Sequence, residues 1–205
     1  MYPNAHRYFS TEYSPEQLNF FRMCFIVFDV VAKGLRIIFK MEWDIRFKET
    51  LGEWMDKPKN GLDFYSMESP RNLKRHAYML ATMRNGNTEE WNPSMLFYAI
   101  LFSDSLGRVI SAVVRRSVDD LRMLRNGVAH IAQAQVSDAD FYSFWNRVIG
   151  AFHSLGLSTS PLIKVGFHFS SARREAEEFL AGKSCLSFHR AISLRQSIWR
   201  ENVLF

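Results

Sequence analysis

The chain has 205 residues, 47% of them hydrophobic and 23% charged, which suits one good core, or a core with a tail, and disfavours two full domains. Its 18 Phe and 5 Trp argue against general disorder, and its longest unbroken apolar run, Met95 to Phe102, falls far short of the roughly 20 residues that a membrane-crossing helix needs. The net charge of +5 permits RNA or acidic partners without demanding them.

Met1 to Arg7 is aromatic and polar, without the apolar stretch and small-residue cleavage site of a secretory leader. Cys24 and the distant Cys185 do not make a disulfide framework. Together these features predict a cytoplasmic protein in a reducing compartment, with no membrane partner.

In chain order, Ser14-Pro15 places a capping residue before a proline at the first helical position, and Gln17 completes a capping-box spacing. Leu18, Phe21, Phe25, Phe28, Val31 and Leu35 follow at three- and four-residue steps, so an amphipathic helix starts here and extends or restarts through Ile37, Ile38, Phe39, Trp43 and Phe47. Gly52 and the cluster Lys57-Pro58-Lys59-Asn60-Gly61 read as its end and a loop. Ser69-Pro70 begins a helix through Leu73, Ala77 and Leu80, ended by Asn85-Gly86-Asn87, and Asn92-Pro93 begins the next. From Ser111, Val114, Val118, Leu121, Leu124 and Val128 keep helical spacing; Ser137 starts a further helix that Gly156 closes. Val165-Gly166-Phe167-His168-Phe169 is the one weak strand candidate.

This pattern predicts an all-α helix bundle with an N-terminal segment (1–13), a helical domain (14–160) and a basic C-terminal extension (161–205). The extension holds a charged helix around Ala172 to Leu180, then Gly182-Lys183-Ser184, which lacks the leading glycine and strand of a phosphate-binding loop. Cys185 and His189 stand four apart, but two ligands are too few for a zinc site, and no metal or cofactor is expected.

The residue pattern that carries chemistry is Arg125-Asn126-Gly127-Val128-Ala129-His130. A guanidinium offers fixed donors to phosphate oxygens, and an imidazole can pass a proton near neutrality. Cleaving RNA through its own 2′-hydroxyl needs a base, an acid and positive charge against the phosphorane, and no metal. On an ideal helix Arg125 and His130 are about 140° apart, whereas Asp119, Arg122, Asn126 and His130 share a polar face. Asn126 could therefore orient the His130 ring, Gly127 could let the helix end distort towards Arg125, and a second copy across a two-fold axis would bring both groups to one cleft. The structural alternative is that Arg125 pairs with a carboxylate such as Asp104 or Asp120 and His130 caps the helix end.

Val118 to His130 resembles the signature helix of the HEPN superfamily: Arg, a polar residue that is often Asn, variable positions, then His. Phe20 to Val31, Leu51 to Trp54, Asn60 to Tyr65, Glu68 to Asn72, Asn85 to Asn87 and Met95 to Asp104 are similar to the animal subgroup of DAZ-interacting zinc-finger protein 3, an RNA-binding ubiquitin ligase. The resemblance covers about Leu18 to Leu157. It implies an all-α bundle, frequent dimerisation and, in active members, metal-independent endoribonuclease action that leaves a 2′,3′-cyclic phosphate. It assigns Arg125 to phosphate and transition-state contact, Asn126 to positioning and His130 to proton transfer. The ligase half does not carry over, because two cysteines cannot build a RING.

Arg71, Lys74, Arg75 and His76, with Tyr78 nearby, form an aromatic and basic cluster that suits single-stranded RNA or else a solvated helix face, and Arg122 joins the candidate RNA contacts. The leading expectation is a homodimeric, metal-independent endoribonuclease acting on single-stranded RNA. The alternatives are a non-catalytic module that binds RNA or partner proteins, and a nucleotide-binding regulator whose chemistry resides in a partner chain.

Overall fold

Residues 13–167 are described by the computed structural model, and every regular element among them is helical. The α-helices in chain order are α1 (Pro15–Phe25), α2 (Ala32–Leu51), α3 (Pro58–Ser66), α4 (Pro70–Arg75), α5 (Ala77–Met83), α6 (Pro93–Leu101), α7 (Ala112–Ala129), α8 (Asp138–Ser154) and α9 (Ser160–Phe167), with a short 3-10 turn at Thr88–Glu90. The chain divides between Leu162 and Ile163; the first unit is an all-α bundle, and Ile163–Phe167, the end of α9, is all that is described of the second.

The caps read from the sequence are in place. Ser14 Oγ accepts from the Gln17 backbone at 3.3 Å while Gln17 Oε1 accepts from the Ser14 backbone at 2.9 Å, closing the capping box. Ser69, Asn92, Ser111 and Ser137 likewise accept from the third residue of their helices, at 3.4, 3.1, 3.2 and 3.1 Å.

Of the two courses open after α1, the helix extends: it runs into α2 through a π-helical segment, Ile26–Val31, and Gly52 at φ 91° ends the run as expected. Other boundaries differ from expectation. The Lys57 to Gly61 cluster opens α3 instead of forming a loop. Buried Asn60 explains this: its Oδ1 accepts from the Met55 and Lys57 backbones at 3.0 and 3.4 Å, and its Nδ2 donates to the Glu53 carbonyl at 3.0 Å. Gly61 serves close approach, since a Cβ there would stand 2.3 Å from the backbone nitrogen of Gly86, itself at φ +76°. The Ser69 helix breaks at His76 (φ −117°, ψ 27°) into α4 and α5. Val165 to Phe167 belong to α9 and not to a strand; His168, Phe169, the Ala172 to Leu180 segment, Gly182 to Ser184, Cys185 and His189 lie outside the described residues.

α6 is the centre of the bundle. Every residue from Met95 to Leu101 is buried, so the apolar run is a helix surrounded on all sides, packed by α2 and α7; α7 in turn packs on α8, and α8 on α1. Beside it, Phe39, Trp43, Trp54, Phe64 and Trp91 form an aromatic cluster with centroids as close as 4.6 Å for Phe39 and Trp54. Asp56 ties this cluster down: Oδ1 accepts from Trp54 Nε1 at 3.0 Å and Thr88 Oγ1 at 2.7 Å, and Oδ2 pairs with Lys40. No helix among the described residues is long and apolar enough to cross a membrane.

A buried carboxylate fastens α4 to α6. Glu68 Oε2 accepts from Tyr98 Oη at 2.6 Å and Asn72 Nδ2 at 2.9 Å, while Oε1 accepts from the Asp104 backbone at 3.0 Å. Asp104 Oδ2 accepts in return from the Ser69 backbone and Asn72 Nδ2. The satisfied network makes a buried charge tolerable.

Candidate functional site

α7 runs unbroken to Ala129, and His130 is its C-terminal cap residue, its backbone N–H reaching the Asn126 and Gly127 carbonyls at 3.2 Å each. Gly127 therefore does not distort the helix end; it is an ordinary helical residue whose Cβ would meet nothing within 4 Å. His130 is exposed.

Arg125 lies at the edge of the buried face of α7, where the helix meets α6. Its Nη1 donates to Asn126 Oδ1 at 2.8 Å and its Nη2 donates to Ser94 Oγ in the first turn of α6. Asn126 is thus joined to the guanidinium rather than to the His130 ring. The carboxylates weighed as partners of Arg125 are engaged elsewhere: Asp120 with Arg147, and Asp104 with Ser69, Asn72 and Arg108. Burial, with the neighbouring Arg122 charge, pushes the Arg125 guanidinium down to about 10, still cationic at neutral pH. It is a partly desolvated cation on a fixed mount, and a phosphate meeting it loses less to water than one meeting a surface arginine.

Arg115, Asp119, Arg122 and Asn126 follow at steps of four, three and four on one exposed or half-buried face that leads to His130. Arg122 Nε pairs with Asp119 at 2.7 Å, and its guanidinium lies 5.8 Å from the Phe102 ring centroid. Next to it is an open groove of about 500 Å³ lined by Leu101, Phe102, Ala112, Arg115, Arg116 and Asp119. Of the residues gathered here, only Arg122 is a candidate from the sequence; Phe102, Arg115 and Arg116 are brought to it by the fold, and the one sequence signal for them is the spacing of Arg115 ahead of Asp119 and Arg122.

The second basic cluster is separate. Arg71, Lys74 and Arg75 are exposed on α4, and Tyr78 is 77% exposed at the start of α5. His76 does not join them in facing outward: its ring stacks on Tyr98 with centroids 4.7 Å apart, and burial, with Arg75 nearby, holds its proton affinity below the usual histidine range.

Among the described residues no group of three or more His, Cys, Asp or Glu is placed to hold a metal ion. Cys24 is buried, which pushes its thiol up to about 12 and leaves it unreactive as a nucleophile. Compared with known proteins, the chain matches no family model, no curated protein and no solved structure.

Proposed function

We propose that this chain is an RNA-directed domain of the HEPN type that cleaves single-stranded RNA without a metal, as a homodimer in which α7 of each copy lines one cleft. The observation that carries the reading is the arrangement at the end of α7, a desolvated Arg125 locked to Asn126 and an exposed His130 one helical turn on. In such a cleft the RNA 2′-oxygen attacks phosphorus and gives up its proton to a base, while the bond to the 5′-oxygen breaks and that oxygen takes a proton from an acid. His130 supplies proton transfer, and Arg125 stabilises the charge that builds on the phosphorane.

A non-catalytic RNA-binding or assembly module is the second reading. It is favoured by the engagement of Arg125 Nη2 with Ser94, which occupies a donor that the transition state would use.

Incubating purified protein with single-stranded RNA in EDTA separates them. Cyclic-phosphate ends made by the wild type and not by His130→Ala support the nuclease; equal fragments from both, or none from either, support the module. Sedimentation tests the dimer, since a monomeric active species removes the two-copy cleft.

A further inference from the structure

The groove beside α7 holds chemistry that the Arg125 to His130 element does not use. Phe102 is the residue that caps the C-terminus of α6, directly after the buried run from Met95 to Leu101, yet it is 54% exposed and lines the groove. Arg122 covers that ring from one side and is itself steadied by Asp119, the only carboxylate among the lining residues. Arg115 Nη2 donates to the Gly107 carbonyl, which fixes its guanidinium at the rim. Arg116 is exposed and forms no ion pair among the described residues.

An exposed ring flanked by guanidinium groups matches a flat base adjoining a phosphate. An acidic peptide would satisfy the arginines and leave the ring unused, and a duplex would keep its base faces stacked internally. We propose that this groove holds one nucleotide of a single-stranded RNA, the base stacked on Phe102 and the phosphate met by Arg115 and Arg116. The inference rests on the reading of the chain as RNA-directed. It also sets a footprint: Arg116 and His130 are about 21 Å apart along the helix axis, a length that a stacked strand covers in about six nucleotides. The groove grips the strand at one end of α7 and leaves a phosphate further along it at the other.

The test is fluorescence anisotropy with a labelled single-stranded oligoadenylate of about 12 nucleotides, 2′-O-methylated so that it cannot be cleaved, competed with inorganic polyphosphate. Phe102→Ala weakens RNA binding about 5- to 150-fold and leaves polyphosphate competition unchanged, whereas Phe102→Trp retains the affinity. Arg116→Gln weakens both and flattens the salt dependence by about 0.7 in log–log slope. Phe102→Ala binding RNA as the wild type does, with its circular dichroism unchanged, overturns the proposal, as does Phe102→Trp binding as poorly as Phe102→Ala.

The two proposals fail separately. Wild-type affinity in Phe102→Ala, with cleavage still dependent on His130, removes the groove and keeps the nuclease. Weakened binding in Phe102→Ala, with no cleavage by the wild type, keeps the groove and removes the nuclease. A wild type that binds no single-stranded RNA removes both.

Discussion

Arg125 donates through Nη2 to Ser94 Oγ, so the cation at the end of α7 is mounted on the first turn of α6, the central helix of the bundle. Ser94→Ala removes one of its anchors inside the α6–α7 contact. A hydrogen bond to a charged group contributes about 1.5–3 kcal/mol, and urea denaturation of the variant is expected to show a loss of that order. An unchanged midpoint would mean that the Ser94 contact contributes nothing to the fold.

The network around Glu68 makes a sharper stability test. Tyr98→Phe keeps the ring that stacks on His76 but takes the 2.6 Å donor from a buried carboxylate. The expected cost is about 1–3 kcal/mol, read by chemical denaturation with an unchanged m-value. A cost near zero would show that Asn72 and the Asp104 backbone suffice for Glu68.

Within the aromatic cluster, two tryptophans of similar burial differ in one respect. Trp54 Nε1 donates to Asp56, whereas Trp91 Nε1 is buried with no hydrogen-bond partner among the described residues. Both Trp→Phe changes leave a cavity, but only Trp54→Phe also strips a hydrogen bond from Asp56. Trp54→Phe is therefore expected to cost about 1 kcal/mol more than Trp91→Phe in paired denaturation curves. Equal losses would contradict the role given to Asp56.

Much of the fold is legible in the sequence, and the reasons are local. Ser14 with Gln17, and the Ser or Asn caps at 69, 92, 111 and 137, act through bonds spanning three residues, so spacing alone reveals them. The Lys57 to Gly61 cluster reads as a loop because only part of what makes it helical is local: the Lys57 backbone bond to Asn60 spans three residues, whereas the Glu53 carbonyl that holds Asn60 and the Gly86 backbone that requires Gly61 lie further off. At the candidate site the polar face of α7 was visible from periodicity. Ser94 as the partner of Arg125 was not, because nothing in local sequence tells an α6 residue that it will meet α7. Phe102 was hidden in the same way, counted as the last member of an apolar run when its ring faces out.

Acid should act on this fold in two steps. Burial, with Arg75 second, lowers the affinity of His76 for a proton in the folded state, so the unfolded chain takes up that proton first as pH falls below about 6.5. The stability that neutral His76 provides is present above that value and is lost on the way down. Melting temperatures measured from about pH 7.5 to 5.5 should fall in the wild type and fall less in His76→Phe. Lower down, below about pH 4, Asp104 and Asp56 contribute. Asp104 is depressed by the Ser69 backbone donor and Arg108; at Asp56 burial acts to raise the affinity, but the donors Lys40, Thr88 and Trp54 outweigh it. The same slope in His76→Phe as in the wild type would assign the upper step to another group.

The proposed nuclease and the proposed nucleotide groove both place single-stranded RNA along α7, and ultraviolet cross-linking followed by peptide mass spectrometry measures that placement directly. Cross-links are predicted on the peptides carrying Phe102 and the polar face from Arg115 to His130. Cross-links confined to the exposed α4–α5 cluster of Arg71, Lys74, Arg75 and Tyr78, with α7 unmarked, would contradict the account.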